Sequence, residues 1–385
     1  MSTSSYSRAS TALAAAAALL TVGLTAPPAM GASTGTSTGT RGPERTVSGF
    51  RAQSTSWPSV HQGWVLGTVP CGTSTCTAVV TSTNGGRTWS RVGAPDAPLA
   101  ASGEPGVTDV RFADARHGWA FGPSLYATDD GGRHWHRAAI PGSGQQVLAL
   151  AATPAAVYAA VSPCAIGEPE YQCTEPTTVW RSAVDRPGWQ RVPVKLPVTF
   201  APVISAHGRT VYVAVPGPAS DLLYVTTDAR HWISRPSPCV KSDDLALTDV
   251  VALPQERVAL LCVGNAGFQK AVKEAYRSVD AARTTTDAGT APLYGIASQL
   301  AATPTGTLLI ASVSSASWLY LNTADQSWTT QDTEADGGTG WNDPVFTTDT
   351  TGFVVHGPAV DPQGAGALLR TDDGGVTWTA VDFGA

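Results

Sequence analysis

Three aspartates, Asp109, Asp249 and Asp343, occupy the same position when the segments around them are aligned without gaps. If the fold brings these carboxylates together, they could bind a cation, an amine or sugar hydroxyls. In the alternative, each carboxylate caps the turn before it by accepting backbone N–H groups. We favour the structural role, whereas the ligand role would place a functional site at these residues.

Aromatic and basic residues could complete such a site. Tyr294 and Trp341 lie where predicted inner strands begin, and their rings could stack on sugars or on a partner peptide, although core packing explains them nearly as well. His134 and His136 share one side of an extended segment, but no third ligand lies nearby, so no metal site is predicted. The sequence contains no phosphate loop, Gly-x-Ser-x-Gly or HExxH motif, and no cofactor is predicted.

An eight-residue motif, [S/T]-x-[D/N]-x-G-x-x-W, predicts the elements that position these residues. Intact copies lie at 82–89, 128–135 and 371–378, and the degenerate copies are at 182–189, 226–232, 278–285 and 322–328. Consecutive copies end 43 to 54 residues apart, a length that suits four short strands with turns. Seven copies predict an all-β protein, a seven-bladed β-propeller of four-stranded blades with the motif in each outer hairpin.

The motif residues themselves are interpreted as structural. The hydroxyl and carboxylate can accept hydrogen bonds from turn N–H groups, the second glycine can adopt a positive φ, and the indole can cover the hairpin. The predicted structural residues are Ser82, Asn84, Gly86, Trp89, Thr128, Asp130, Gly132, Trp135, Asp228, Trp232, Ser278, Asp280, Thr371, Asp373, Gly375 and Trp378.

The motif resembles the Asp-box, or BNR, repeat of sialidase-like propellers, and the resemblance covers nearly all of the chain after residue 45. This superfamily includes sialidases, other glycosidases, receptors and non-enzymatic assembly factors, so the resemblance implies a fold more than an activity. A Gly-Trp second strand followed by an Asp-Gly-Gly-x-x-Trp hairpin looks like the photosystem II stability/assembly factor group. That likeness implies a binding protein.

The resemblance to sialidases also implies a specific set of residues: a Phe/Tyr-Arg-Ile-Pro segment, an arginine triad, an acid/base Asp, and a Tyr nucleophile paired with Glu. The nearest match to the first is Phe50-Arg51-Ala52-Gln53, which keeps Arg51 and lacks Ile-Pro. Spacing alone nominates no Tyr–Glu pair. A glycoside hydrolase of exo-alpha-sialidase type is therefore the alternative function, and three arginines with a Tyr–Glu pair in the channel would favour it.

The first 31 residues have the pattern of an export signal, with Arg8, an apolar stretch at 11–24 and small residues at 29–31. A flexible Ser/Thr/Gly-rich leader is expected at 32–45 and the propeller at 46–385. No later stretch approaches twenty uninterrupted apolar residues, so no membrane span is predicted. The net charge of −6 is dispersed without a basic stripe, which argues against a nucleic-acid partner.

Six cysteines in an exported chain favour disulfide bonds. Of the fifteen pairings that six cysteines allow, Cys71–Cys76, Cys164–Cys173 and Cys239–Cys262 keep every bridge local. In a propeller, second-to-third-strand and inter-blade connections emerge on one face, called here the loop-rich face. The motif turns emerge on the opposite face, called the motif face. All three bridges are predicted on the loop-rich face.

The sequence thus predicts a secreted, monomeric and non-enzymatic propeller that recognises a protein or cell-surface glycan through its loop-rich face. The predicted contact residues are Asp109, Asp249, Asp343, Tyr294, Trp341 and Arg51. Ring closure should set blade 7 beside blade 1, with or without an additional strand near Thr46 to Phe50.

Overall fold

A computed structural model describes residues 47–100, 104–142, 146–186, 188–217, 219–240, 244–322, 327–334, 339–357 and 366–384. These residues form seven antiparallel sheets of four strands, and in each sheet the strands follow chain order. The fold is therefore the predicted all-β, seven-bladed β-propeller. The described residues include no helix with the length and apolarity needed to cross a membrane. The predicted export signal and leader lie outside the described residues.

The strands fall into four sets, ordered outward from the centre of the propeller. The first strands are β1 (Arg51–Ser56), β5 (Asp109–Phe112), β9 (Gln146–Ala152), β13 (Val203–His207), β17 (Ala246–Ala252), β21 (Ala297–Ala302) and β25 (Trp341–Phe346). The second strands are β2 (Gly63–Cys71), β6 (Gly118–Phe121), β10 (Ala156–Ser162), β14 (Thr210–Val215), β18 (Val258–Asn265), β22 (Leu308–Val313) and β26 (Gly352–His356).

The outer half of each blade contains the remaining two sets. The third strands are β3 (Ser74–Ser82), β7 (Leu125–Thr128), β11 (Thr178–Ala183), β15 (Leu222–Thr226), β19 (Ala271–Ser278), β23 (Ser317–Asn322) and β27 (Ala367–Thr371). The fourth strands are β4 (Ser90–Val92), β8 (His136–Arg137), β12 (Gln190–Arg191), β16 (Ile233–Arg235), β20 (Thr286–Ala291), β24 (Trp328–Glu334) and β28 (Thr379–Ala380).

Each blade packs both of its faces against neighbouring blades, so the burial of a strand depends on how far it lies from the outer edge of the blade. The second strands are buried along nearly their whole length, as in β10 and β14, and they are correspondingly continuous in apolar residues. The third strands alternate, and the fourth strands are mostly exposed. Seven hydrophobic clusters result, and each fills the seam between two consecutive blades.

The ring closes without a shared blade, since β1–β4 and β25–β28 are both complete sheets. Trp57 stacks on Phe353 with ring centroids 3.9 Å apart, and Phe383 packs against Phe50 and Trp89. The segment from Val47 to Phe50 is not an additional strand. It forms a turn, and its Val47 N–H donates to the carbonyl of Phe383 at 3.4 Å.

The three intact motif turns share one set of hydrogen bonds. In blade 2, the Thr128 hydroxyl accepts from the Gly132 N–H at 3.0 Å, the Asp130 carboxylate accepts from the His134 N–H at 2.9 Å, and Trp135 Nε1 donates to the Gly132 carbonyl at 3.1 Å. The intact copies in blades 1 and 7 repeat this pattern. The motif thus binds its own backbone in these turns.

Blade 5 keeps this turn without glycine or tryptophan. The Ser278 hydroxyl accepts from the Ala282 N–H at 3.0 Å, and Asp280 accepts from the Thr284 N–H at 2.9 Å. Ala281 and Ala282 both adopt a φ of 58°, in the left-handed region that costs an L-residue free energy. Their methyl groups lie in the hydrophobic cluster between blades 4 and 5, and this burial offsets part of the cost.

All three predicted disulfides are present. Cys71–Cys76 closes the β2–β3 hairpin, and Cys164–Cys173 closes the connection from β10 to β11. Cys239, in the connection from blade 4 to blade 5, reaches Cys262 in β18. Every bridge therefore lies in or beside a connection of the loop-rich face, as predicted, and the described residues hold no free cysteine.

Candidate functional site

The first strands surround the centre of the propeller, and each contacts the first strand of the next blade until β25 contacts β1. These strands are sheet edges, so their backbone N–H groups need acceptors from outside their own sheet. Side chains of the preceding blade supply several of them. Ser56 accepts from the Phe112 N–H at 2.7 Å, and Ser205 accepts from the Ala252 N–H at 2.9 Å.

Two of the three predicted aspartates have this same inter-blade role. Asp249 accepts from the Leu300 N–H of blade 6 at 2.8 Å, and Asp343 accepts from the Thr55 N–H of blade 1 at 2.7 Å. Asp249 also accepts from the N–H of Val250, the next residue in its own strand, at 2.8 Å. These carboxylates bond the edge of the following blade or their own strand. The capping alternative placed the donors in the turn before each aspartate. The N–H groups that donate here belong instead to other positions.

Asp343 is the centre of a polar cluster of the inner strands. Its carboxylate accepts from the Ser54 hydroxyl at 2.7 Å and from two nitrogens of Arg111 at 2.8 and 3.1 Å. Asp343 adopts a φ of +51°, beside a register shift between Asn342 and Val345. The bulge directs its carboxylate toward blade 1, as bulges commonly re-aim a side chain.

Arg111 brings Asp109 into the same cluster. A guanidinium nitrogen of Arg111 lies 3.8 Å from the carboxylate of Asp109, which also accepts from the Thr108 hydroxyl at 2.7 Å. Burial alone would lower the pKa of Arg111, but the charges of Asp343 and Asp109 raise it above its ordinary value. Arg111 is therefore a fixed cation that neutralises much of the carboxylate charge. Arg111 was not among the predicted site residues, although it lies two residues after Asp109 on the same strand side.

The other predicted contact residues occupy different environments. Trp341 is only 2% exposed and packs in the cluster between blades 6 and 7, so its faces are covered by protein. Its ring lies 4.3 Å from that of His356. Arg51 is half-buried at the start of β1, beside the backbone of Gly366. The structure thus brings Asp109 and Asp343 together and places Asp249, Trp341 and Arg51 elsewhere along the seams.

Tyr294 lies on the loop-rich face in an exposed apolar surface, here called the hydrophobic patch and defined as Phe268, Leu293, Tyr294, Ile296 and Trp318. The first four are 88, 42, 50 and 54% exposed. The Tyr294 ring stacks on half-buried Trp318 with centroids 5.7 Å apart. Phe268 and Trp318 were not predicted, because the turn that carries Phe268 and the strand β23 that carries Trp318 come near Tyr294 only in the folded chain.

A buried lysine lies beneath the patch. Lys273 is fully buried, and its Nζ donates to the carbonyls of Ala271, Leu293, Tyr294 and Gly295 at 2.9 to 3.1 Å. Burial lowers the pKa of Lys273 to about 7. The four carbonyls oppose that shift, since they favour the ammonium, which has more hydrogens to donate than the neutral amine. The only indication of Lys273 in the sequence is its position in β19, where it alternates with Ala271 and Ala275, which are also buried.

The features that would favour a sialidase are arranged differently here. Arg111 is occupied by Asp343 and Asp109, so its guanidinium is not open to a substrate carboxylate. A Tyr–Glu hydrogen bond does occur, from Tyr276 to Glu274 at 2.8 Å, but both residues lie on β19, a third strand away from the channel. No three His, Cys, Asp or Glu side chains within the described ranges could hold a metal ion.

A cavity lies on the motif face, opposite the predicted loop-rich face. This cavity, of about 430 Å³, lies between the motif turns of blades 7 and 1 and is lined by Arg87, Arg370, Asp372 and Asp373, among others. In its wall, Arg370 donates to Asp372 at 2.5 Å. Thr377 lowers the pKa of Asp373 to about 2 through its hydroxyl and its N–H. These contacts belong to the motif turn, and Arg370 and Asp372 neutralise each other.

No protein-family model matches the sequence, and no curated protein matches it. Several solved structures are similar in fold. "YCF48 bound to D1 peptide" is 17% identical, with a TM-score of 0.48, over 75% of this chain and 86% of that chain. YCF48 from Cyanidioschyzon merolae is 15% identical, with a TM-score of 0.47, over 71% and 83%. The Niastella koreensis GH74 enzyme is 13% identical, with a TM-score of 0.34, over 88% and 73%. Similarity at these levels carries no argument about function.

Proposed function

We propose that this protein is a secreted, non-enzymatic binding module that recognises a protein or cell-surface glycan through its loop-rich face. The observation that carries the proposal is the hydrophobic patch, an exposed apolar surface at connections held by a rigid propeller. Soluble proteins rarely keep large apolar side chains together in water unless a partner covers them. Long connections on a rigid scaffold are also where propellers usually bind.

The disulfides support the same face and an extracellular location. All three bridges restrain connections on the loop-rich side, and disulfides persist in oxidising compartments. Tyr171, in the connection closed by Cys164–Cys173, is a further aromatic side chain on this face, at 85% exposure. Restrained connections lose less conformational entropy when a partner binds, and this favours affinity.

Site-specific photo-crosslinking tests the proposal. A photoreactive amino acid replaces Tyr171 on the loop-rich face or, as the matched control, Val279 on the motif face, where that side chain is 73% exposed. Each protein is irradiated with the producing cells' envelope, and the free protein is applied to a glycan array. We expect crosslinks or glycan binding that depend on the loop-rich face. Crosslinks from position 279 alone would contradict the proposal.

Hydrolysis of a sialoside is the test of the alternative, an exo-alpha-sialidase. The ion-paired state of Arg111 and the position of Tyr276 and Glu274 on β19 do not favour that activity. We expect no release of sialic acid above the uncatalysed rate. Release that is abolished by Tyr276→Phe would instead establish an enzyme.

A further inference from the structure

The hydrophobic patch is built from two loops that the backbone joins. The Ala271 N–H donates to the Leu293 carbonyl at 2.9 Å, and the Gly295 N–H donates to the Gln269 carbonyl at 3.0 Å. Because of this pairing, the turn that carries Phe268 lies beside the segment that carries Leu293, Tyr294 and Ile296. Exposed apolar side chains from two connections therefore lie in one joined region of the loop-rich face.

Lys273 and Tyr320 bind the backbone of the patch from below. The Nζ of Lys273 donates to three consecutive carbonyls, those of Leu293, Tyr294 and Gly295, and the Tyr320 hydroxyl donates to the Tyr294 carbonyl at 3.0 Å. Gly295 adopts a φ of +89°, and a Cβ built there would lie 2.0 Å from the Ser312 hydroxyl oxygen. A surface that is ordered before binding loses little entropy when a partner arrives.

The patch carries one positive charge at its edge. Lys270 Nζ lies 5.2 Å from the centroid of the Tyr294 ring, and no carboxylate of the described residues forms an ion pair with it. The protein as a whole is acidic, with a net charge of −6, so this uncompensated lysine is complementary to a carboxylate on a partner. A single lysine is too little basic charge to indicate an anionic membrane, which requires a polybasic surface.

We infer that the hydrophobic patch, with Lys270, docks a segment of a partner protein that presents an apolar side chain next to a carboxylate. This inference rests on the proposed function and specifies its partner class. A protein segment is favoured over a glycan because Phe268, Leu293 and Ile296 have no polar group to satisfy sugar hydroxyls. Stacked Tyr294 and Trp318 form an aromatic anchor of the kind that dominates protein interfaces.

Selection from a random dodecapeptide display library tests this inference. The library is panned on the full-length protein and depleted on Phe268→Ser/Tyr294→Ser, and recovered peptides are measured by fluorescence anisotropy. The matched control is Val279→Ser/Val376→Ser, which removes exposed apolar side chains from the motif turns. Near-UV circular dichroism and melting of each variant confirm that it is folded. Lys270→Glu tests the charge contact.

We expect to recover peptides with a large apolar residue beside Asp or Glu. Their affinity should be at least tenfold lower for the patch variant and unchanged for the motif-turn variant. Lys270→Glu should lower the affinity for these peptides several-fold, and added salt should lower the affinity of the wild-type protein in the same way. Failure to recover patch-dependent peptides, or recovery of basic ones, overturns the inference. So does patch-dependent binding to phosphatidylglycerol vesicles or patch-dependent self-association in sedimentation. If crosslinks form at position 171 and the substitutions Phe268→Ser/Tyr294→Ser do not reduce them, only this inference fails, and the proposed function stands.

Discussion

The guanidinium of Arg111 in blade 2 lies 2.8 Å from the carboxylate of Asp343 in blade 7, and Ser54 of blade 1 bonds both groups. Two blades that are not neighbours are therefore connected across the blade between them. Since each blade is formed by consecutive strands, no shared sheet holds blade 7 to blade 1. The pair contributes to ring closure, together with contacts such as the stacking of Trp57 on Phe353.

The first prediction concerns this pair. Asp343→Asn should lower the free energy of unfolding by about 2 kcal/mol, because a half-buried guanidinium loses its carboxylate partner. Urea unfolding followed by tryptophan fluorescence measures the change. Asp185→Asn is the control, since that side chain is 72% exposed and should change stability by less than about 0.5 kcal/mol. Equal stability of the two variants would show that the pair is not part of the closure.

The triple variant of Asp109, Asp249 and Asp343, each changed to Asn, extends the first prediction and separates a structural role from ligand binding. We expect a lower melting temperature and unchanged affinity of the folded fraction for any partner recovered at the loop-rich face, because Asp249 and Asp343 bond the next blade. Unchanged melting with lost binding would instead assign these carboxylates to a ligand.

The second prediction concerns the motif turns. Gly132→Val should destabilise the protein by about 2 kcal/mol, because φ is +88° there and a Cβ would lie 3.3 Å from Val92. Gly188→Val, in the degenerate motif of blade 3, is the matched control. Its φ lies outside the left-handed region, and the nearest atom to a Cβ is 4.0 Å away. Thermal melting compares the two, and an equal loss would refute the positive-φ requirement.

The third prediction compares two disulfides. Replacing Cys239 and Cys262 by Ala should cost about 3 kcal/mol, because the bridge closes the longest loop and both sulfurs lie in the cluster between blades 4 and 5. Replacing Cys71 and Cys76 should cost roughly 1 kcal/mol less, since that hairpin loop is short and exposed. Denaturant unfolding of both variants measures the difference. The reverse order would contradict it.

The fourth prediction follows from Lys273, whose pKa burial lowers to about 7 from about 10.4 in an unfolded chain. Between these values the unfolded state binds more protons than the folded state, so the contribution of this residue to stability rises with pH and is lost as pH falls toward 7. The wild type should therefore gain stability relative to Lys273→Met between pH 7 and pH 10. Urea unfolding of both proteins at these pH values tests this. A constant difference would mean that the four carbonyls hold the ammonium fully charged in the folded state.

Several features were predictable because they depend on short stretches of chain. The motif at 128–135 bonds its own backbone, so the type and spacing of its residues were sufficient to place each outer hairpin and count the blades. The cysteine pairing was predictable for a similar reason. Cys71 and Cys76 are five positions apart in one hairpin, and even Cys239 and Cys262 are separated by only 23.

The partners of the inner-strand side chains were not predictable, because they lie in other blades. Aligning Asp109, Asp249 and Asp343 gave three equivalent positions, yet one carboxylate bonds Leu300 and another bonds Arg111, 232 residues away. Which groups meet at a seam depends on how complete blades twist and close into a ring. Tyr294 was identified from its sequence position, whereas Phe268 beside it and Lys273 beneath it became evident only once the two loops were paired. Short-range hydrogen bonding thus determined the repeated blade, and long-range packing decided the surface that the protein presents.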